Sequence, residues 1–194
     1  MNFRNRIVNI WNRLRFLKYI GYYNRKIICV GGGPDIQIHG NMILNREFQI
    51  MFVNNSLYST LGINRKCKLL VYKEATLHFK GKVGMSNTVI VATKSIEIGD
   101  NVMIGGGVTI IDSDFHSLDY HDWFTERDEK NMQSHPVVIG NNVFLGMNSV
   151  ILKGVHIGDG AVIAAGSIVS SNVPSNEIWG GNPARFIKKR QHIA

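Results

Sequence analysis

Residues 139–174 read IGNNVF, LGMNSV, ILKGVH, IGDGAV, IAAGSI, VSSNVP, six consecutive blocks of six. An aliphatic side chain opens every block, at Ile139, Leu145, Ile151, Ile157, Ile163 and Val169, without a slip of register. Four places after each of the first five stand Val143, Ser149, Val155, Ala161 and Ser167. A period of six fits neither the 3.6-residue turn of an α-helix nor the two-residue alternation of an ordinary strand. It fits a strand of about two pleats and a tight turn, repeated so that each aliphatic residue stacks on its counterpart one coil along. Gly and Asn at the corners supply the positive φ that such turns require. Three such sides close a triangular coil around a column of Ile, Leu and Val.

The same spacing runs upstream through Ile98, Ile104 and Ile110 in IGDNVMIGGGVTII. Between Ile110 and Val137 it is lost for longer than an ordinary connection, which marks that stretch as a functional loop. Before Ile98, short β-rich pieces at Ile36–Ile38, Phe48–Val53, Leu69–Tyr72, Ala75–Phe79 and Thr88–Val91 read as irregular early coils, with an insertion between Asn54 and Lys68.

A chain of 194 residues with 44% hydrophobic residues supports one domain. Cys29 and Cys67 have no ligand-like spacing and read as free thiols. No apolar run has membrane-spanning length and no secretory signal pattern opens the chain, so a cytoplasmic protein is expected. The net charge of +8 is uneven: Arg4, Arg6, Arg13, Arg15, Lys18, Arg25 and Lys26 fall in the first 26 residues with no acid among them. Arg185, Lys188, Lys189 and Arg190 form a second cluster. Basic ends on a near-neutral body suit local anionic partners rather than nucleic acid.

Phe3, Ile7, Ile10, Trp11, Leu14, Leu17 and Tyr19 recur at near-helical spacing among polar residues, so residues 3–20 predict an amphipathic helix. A cap or brace on the rest of the chain is the plainer reading, and peripheral contact with an anionic membrane is the other. The expected organisation is a helical segment over 1–30, a β-helix over 31–184 with a loop at 112–136, and a basic tail over 185–194.

With IGDNVMIGGGVTIIDSDFHSLD, the repeats of residues 139–174 and the closing GGNPARFIKK, the chain resembles the hexapeptide-repeat acyltransferases, closely over 96–190 and weakly over 31–95. The resemblance implies an all-β fold, the left-handed parallel β-helix, in a homotrimer with sites between subunits. It implies transfer of an acetyl group from acetyl-CoA to a hydroxyl of a sugar-type acceptor, with DSDFHSLD pointing to the capsule and lipopolysaccharide O-acetyltransferases. His116 matches the family's general base, and imidazole suits removal of an alcohol proton. Asp114 or Asp112 would orient its ring. Galactoside-type members carry Asn and Asp where this chain has Met85 and Thr93, which leaves Asn87 as a substitute contact to the acceptor. His135 at the loop's return is a second acceptor candidate, with a structural role at the loop base as the plainer reading. Gly146 and Met147, Ala164 and Ala165, and Ser170 and Ser171 match positions along the coenzyme arm; Arg185 and Lys188 match positions facing its phosphates. A backbone N–H near Gly146 is the candidate donor to the oxyanion. Sugar N-acetyltransferases, serine acetyltransferases and a non-catalytic β-helix remain alternatives, as does a γ-class carbonic anhydrase, for which His116 and His121 would have to share zinc.

Overall fold

The computed structural model describes residues 27–31, 33–54 and 62–191. The helix expected over residues 3–20 lies outside them. Strands β1 to β19, in chain order, form three sheets, the faces of one parallel β-helix. Face A holds β1 (Ile27–Val30), β4 (Gln49–Val53), β7 (Lys82–Ser86), β10 (Val102–Ile104), β13 (Phe144–Leu145), β16 (Val162–Ile163), β18 (Glu177–Gly181) and β19 (Ala184–Lys189). Face B holds β2 (Asp35–Ile38), β5 (Lys68–Val71), β8 (Val89–Ala92), β11 (Thr109–Ile111), β14 (Val150–Ile151) and β17 (Ile168–Val169). Face C holds β3 (Asn41–Leu44), β6 (Thr76–Phe79), β9 (Ser95–Ile98), β12 (Val137–Ile139) and β15 (His156–Ile157).

The residue that opens each block points inward. Ile98, Ile139 and Ile157 align down face C, Ile104, Leu145 and Ile163 down face A, and Ile110, Ile151 and Val169 down face B. Their exposures run from 0 to 4%, so the six-residue period is the core itself. Positive φ falls at the corners, at Asn101, Asn142, Asn148, Gly154, Gly160 and Gly166. The glycines at strand ends answer a different demand: a Cβ on Gly146 would lie 2.5 Å from the Ala165 amide nitrogen of the next coil.

In the last coils a residue pairs with the one eighteen places on, as Ile139 does with Ile157. Ile98 pairs with Ile139, forty-one places on, so the loop over 112–136 adds twenty-three residues to one coil. Upstream, Ile50 pairs with Val83 across the insertion after Asn54. The early coils use longer strands of four or five residues, which explains their looser spacing.

Two expected boundaries move. Residues 27–30, assigned to the helical segment, are strand β1, paired with β4. Arg185–Lys189, assigned to a tail, belong to β19, which turns back antiparallel on β18 and closes face A. A basic run looks solvated in sequence, yet Glu177, Ile178 and Trp179 offer it a sheet edge to pair with.

Candidate active site

The long loop leaves face B after β11 and returns to face C at β12, so it stands on the B–C corner. Its neck is stitched. Ser113 bridges Ser134, the Asp114 amide donates to Gln133 O at 3.1 Å, and the His135 amide donates to Asp112 O at 2.9 Å. Asp112 is fully buried and accepts from the amides of Thr93, Lys94 and Ser95 at 2.7–2.8 Å, with the Thr93 hydroxyl at 2.8 Å. It locks the preceding corner and has no lone pair to spare for an imidazole. Asp114 reaches the other way, to Lys153 Nζ of the next coil at 2.6 Å.

Neither aspartate next to His116 therefore orients it. The carboxylate on the ring is Asp128, whose Oδ2 lies 2.7 Å from Nδ1. Asp128 sits in helix α1 (Glu126–Asn131), capped by Thr125, whose hydroxyl accepts from the Arg127 amide. As a third helical residue Asp128 occupies the position from which an acid ordinarily caps the helix start. Here it reaches across to His116, while its Oδ1 accepts the Ser117 amide at 2.7 Å. The bond to His116, then that to the Ser117 amide, holds the Asp128 carboxyl below the usual carboxylate range.

The rest of the loop braces this pair. Asp122, 4% exposed, accepts from Ser117 Oγ at 2.8 Å and Asn131 Nδ2 at 2.7 Å, and the Trp123 indole N–H donates to Ser117 O at 2.8 Å. Those bonds, led by Asn131, hold the Asp122 carboxyl low as well. Phe115 stands at φ 64, a left-handed conformation that costs a bulky residue energy and persists only where surroundings impose it. It turns the chain so that the His116 side chain, 72% exposed, projects from the loop. With Nδ1 committed to a carboxylate, the proton belongs on Nδ1 and the lone pair on Nε2. An imidazole held in this way can accept a proton at Nε2.

The other expected positions divide between two edges of face B. Asn87, Gly146, Met147, Ala164 and Ala165 lie on the A–B corner; Ser170 and Ser171 lie on the B–C corner, beyond Lys153 on the loop's side. Asn87 is fully buried and donates through Nδ2 to Arg65 O at 2.5 Å. Arg65 answers through Nε to Asn87 O at 2.6 Å and Nη2 to Gly107 O at 2.5 Å, which pins the segment before β5 onto this corner. Asn87 is thereby a clamp residue rather than an exposed acceptor contact. His135 donates to Asp112 O and accepts at its own carbonyl from the Gly154 amide at 3.1 Å, the structural role at the loop base. The Gly146 amide is spent on Ile163 O at 2.8 Å, so it is no oxyanion donor; the following Met147 amide donates to no backbone carbonyl among the described residues.

Arg185 and Lys188 share a side of β19 despite their odd spacing. Their partners Gly180 and Ile178 are two residues apart, and the bulge at Ile178/Trp179 absorbs the extra residue. Both are exposed. His116 and His121 bond separate carboxylates, Asp128 and, at 2.8 Å, Asp119. Among the described residues no three His, Cys, Asp or Glu side chains gather as a metal site.

Comparison with known proteins bears on this geometry. The hexapeptide repeat of succinyl-transferase matches residues 86–111 and 136–171. The chain is 42% identical over 155 residues to the galactoside O-acetyltransferase of Escherichia coli K12, covering 78% of this chain and 71% of that protein. It belongs to the hexapeptide-repeat acetyltransferase family. The β-helix is accordingly left-handed, and the chain is an acetyltransferase. It is also 32% identical over 130 residues, 64% of this chain and 66% of the relative, to an E. coli K12 protein named as a candidate lipopolysaccharide biosynthesis O-acetyl transferase. A Vibrio cholerae hexapeptide-repeat acetyltransferase, solved with acetyl coenzyme A, superposes with a TM-score of 0.58 at 26% identity, covering 78% of this chain and 72% of that one.

Proposed function

We propose that this chain transfers an acetyl group from acetyl-CoA directly to a hydroxyl of a sugar or polysaccharide precursor of the capsule or lipopolysaccharide type. The observation that carries the reading is His116, projecting from its loop with Nδ1 on Asp128 and Nε2 unencumbered. Nε2 takes the proton of the acceptor hydroxyl as that oxygen bonds to the acyl carbon. The C–S bond breaks, and the protonated ring returns its proton to the departing sulfur. Asp128 stabilises the ring while it carries the extra charge. Acetyl-CoA as donor is supported by the acetyltransferase of V. cholerae solved with it, and a sugar acceptor by the galactoside and lipopolysaccharide relatives.

A homotrimer is supported by the outer side of face B. From β8 onward its outward positions are Val89, Val91, Thr109, Ile111, Val150 and Ile168, with no charge among them. Turning this face toward a three-fold axis covers it and sets the A–B corner of one subunit beside the loop of the next. His116 then meets the small residues Gly146, Ala164 and Ala165 across a subunit boundary, which no single chain achieves because face B separates them. Ser170 and Ser171 of the loop-bearing subunit line the same cleft, and the exposed Arg185 and Lys188 lie at its end for phosphate. The test is thiol release from acetyl-CoA with a panel of nucleotide sugars and glycans, for the natural chain and His116→Ala. Acceptor-dependent release that falls at least about a hundredfold in the variant supports the proposal; release unchanged by the substitution overturns it.

A further inference from the structure

Asn87, the residue expected to meet an acceptor, is buried, and the side chain that stands over its corner is the exposed Arg65. The guanidinium bridges two coils. Nε donates to Asn87 O at 2.6 Å, on the corner that follows β7, and Nη2 donates to Gly107 O at 2.5 Å, on the corner that follows β10. Asn87 Nδ2 answers to Arg65 O, so the main chain and the side chain of residue 65 are both held. Two carbonyls orient the group but leave its charge whole. Among the described residues no carboxylate pairs with Arg65, and Nη1 makes no hydrogen bond. A clamp needs only donors, which a neutral amide also offers. Arginine keeps a rigid fork with one arm unspent, the geometry that receives a carboxylate or phosphate oxygen.

The place of this cation matters as much as its state. The coil of β10 and β11 is the one from which the His116 loop departs, so Arg65 sits at the level of the loop's origin. Gly146 and Ala164 follow on the same corner one and two coils on, about 5 and 10 Å along the stack. In the proposed trimer a three-fold rotation about an axis along the stack leaves these levels unchanged, so the loop of one subunit faces Arg65 of the next. A donor whose phosphates meet Arg185 and Lys188, and whose arm passes Ala164 and Gly146, ends with its thioester short of Arg65. The acceptor then lies on the Arg65 side of that thioester.

We propose that Arg65 selects the acceptor by charge, its guanidinium pairing with a carboxylate or phosphate borne by the acceptor while a His116 across the subunit boundary takes the hydroxyl proton. The proposal rests on the acetyl-transfer reading and adds that the acceptor is an acidic or phosphorylated sugar.

Three acceptors that share a ring test this in the complete chain: methyl galactoside, galacturonate and galactose 1-phosphate, assayed by thiol release at saturating acetyl-CoA. At least one anionic acceptor is expected to exceed the neutral one in kcat/KM by about tenfold or more, the worth of a charge-assisted hydrogen bond, and which one does so assigns carboxylate or phosphate. In Arg65→Gln that ratio falls to within about threefold of unity, and Arg65→Lys restores part of it. Lys66, exposed on the next residue, carries the same charge but neither bond to the corner, so Lys66→Gln keeps the ratio. A purely structural clamp would lower kcat/KM for all three acceptors alike. An unchanged ratio in Arg65→Gln therefore overturns the proposal, as does a ratio lost equally in Lys66→Gln or a natural chain that prefers the neutral galactoside. Binding decides the matter without turnover: galactose 1-phosphate and galacturonate are titrated calorimetrically into protein saturated with CoA, which fills the site at Arg185 and Lys188. Affinity at least about tenfold weaker in Arg65→Gln supports the proposal, and equal affinity overturns it. Binding that depends on Arg65 without thiol release from any acceptor refutes acetyl transfer and leaves the anion receptor standing. Thiol release that is blind to acceptor charge refutes the receptor and leaves acetyl transfer standing.

Discussion

Replacing Asp128 by asparagine changes one atom and, through the loop's hydrogen bonds, moves a proton on a different residue. Oδ1 of Asp128 faces the Ser117 amide and Oδ2 faces His116 Nδ1, each at 2.7 Å. An asparagine must keep its carbonyl oxygen on the Ser117 N–H, because an NH2 group there would set donor against donor. Its NH2 then faces Nδ1, which is forced to accept, and the ring's proton moves to Nε2, the nitrogen required as base. General-base catalysis contributes about 10²- to 10⁴-fold, so kcat/KM falls by that range, about 2.7 to 5.5 kcal/mol of transition-state stabilisation. Asp128→Ala leaves Nδ1 free and lets the ring choose its tautomer, so it loses less than Asp128→Asn although it removes more atoms. Thiol-release kinetics on an accepted sugar give the order of activities. Ring ¹⁵N shifts of His116, taken well above the usual imidazole titration range, give the tautomer without any acceptor: protonated Nδ1 in the natural chain, protonated Nε2 in the asparagine variant. An asparagine variant within about threefold of the natural rate, or one showing the natural tautomer, refutes the reasoning.

Gly146→Ala places a Cβ 2.5 Å from the Ala165 amide nitrogen, backbone that cannot swing aside; destabilisation of about 1–3 kcal/mol in denaturant unfolding is expected. Leu77→Ala empties a fully buried site in the stacked column, with an expected loss of about 2–5 kcal/mol and a lower Tm by calorimetry. Arg65→Ala removes both bonds that pin the segment before β5, so amide exchange at Cys67 and Asn87 rises while the later coils stay protected. The pH dependence has a definite sign. Asp122 and Asp128 titrate lower in the folded loop than in the unfolded chain, so their contribution is complete above the ordinary aspartate value near 3.9 and is lost as pH falls below it through their depressed values. Trp123 fluorescence should therefore report loosening of the loop on acidification below about pH 4 before the coils unfold; a loop transition centred above pH 5 would contradict the assignment.

The period of six made the late coils legible because it is the physical repeat of the core. Each opening aliphatic residue is the inward one, and nothing intervenes between coils. It failed at the ends for reasons local to them. Ile27–Val30 is too short for a pattern and abuts a basic helical one, and Arg185–Lys189 is charged because only its backbone is needed to pair with β18. The place of His116 at the start of the lost register was legible. Its partner was not, since sequence proximity favoured Asp112 and Asp114, and both are drawn into the neck by Thr93–Ser95 and Lys153. A sequence signal for Asp128 did exist in Thr125-x-x-Asp128, the pattern of a helix start. A short helix within a loop gives its acid a fixed direction, which a carboxylate on a bare loop lacks.

That separation of parts has a consequence for how acceptors are chosen. The proposed base His116, its partner Asp128 and the bracing residues Ser117, Asp122, Trp123 and Asn131 all lie inside one insertion, tied to the coils by the neck and Lys153. The proposed donor groove lies on coil corners whose glycines are fixed by stacking, as the Gly146 contact shows. Side chains at the loop's exposed tip, Leu118, Tyr120 and Phe124, contribute to neither, so they can change without disturbing base or coils. Acceptor preference is therefore expected to follow the tip. Exchanging Tyr120 or Phe124 for alanine should raise KM for the accepted sugar by several-fold with kcat within about twofold, because uniform binding is lost while the base is untouched. A fall in kcat with KM unchanged would instead place those side chains in the chemical step and remove the distinction between a fixed reaction centre and a variable rim.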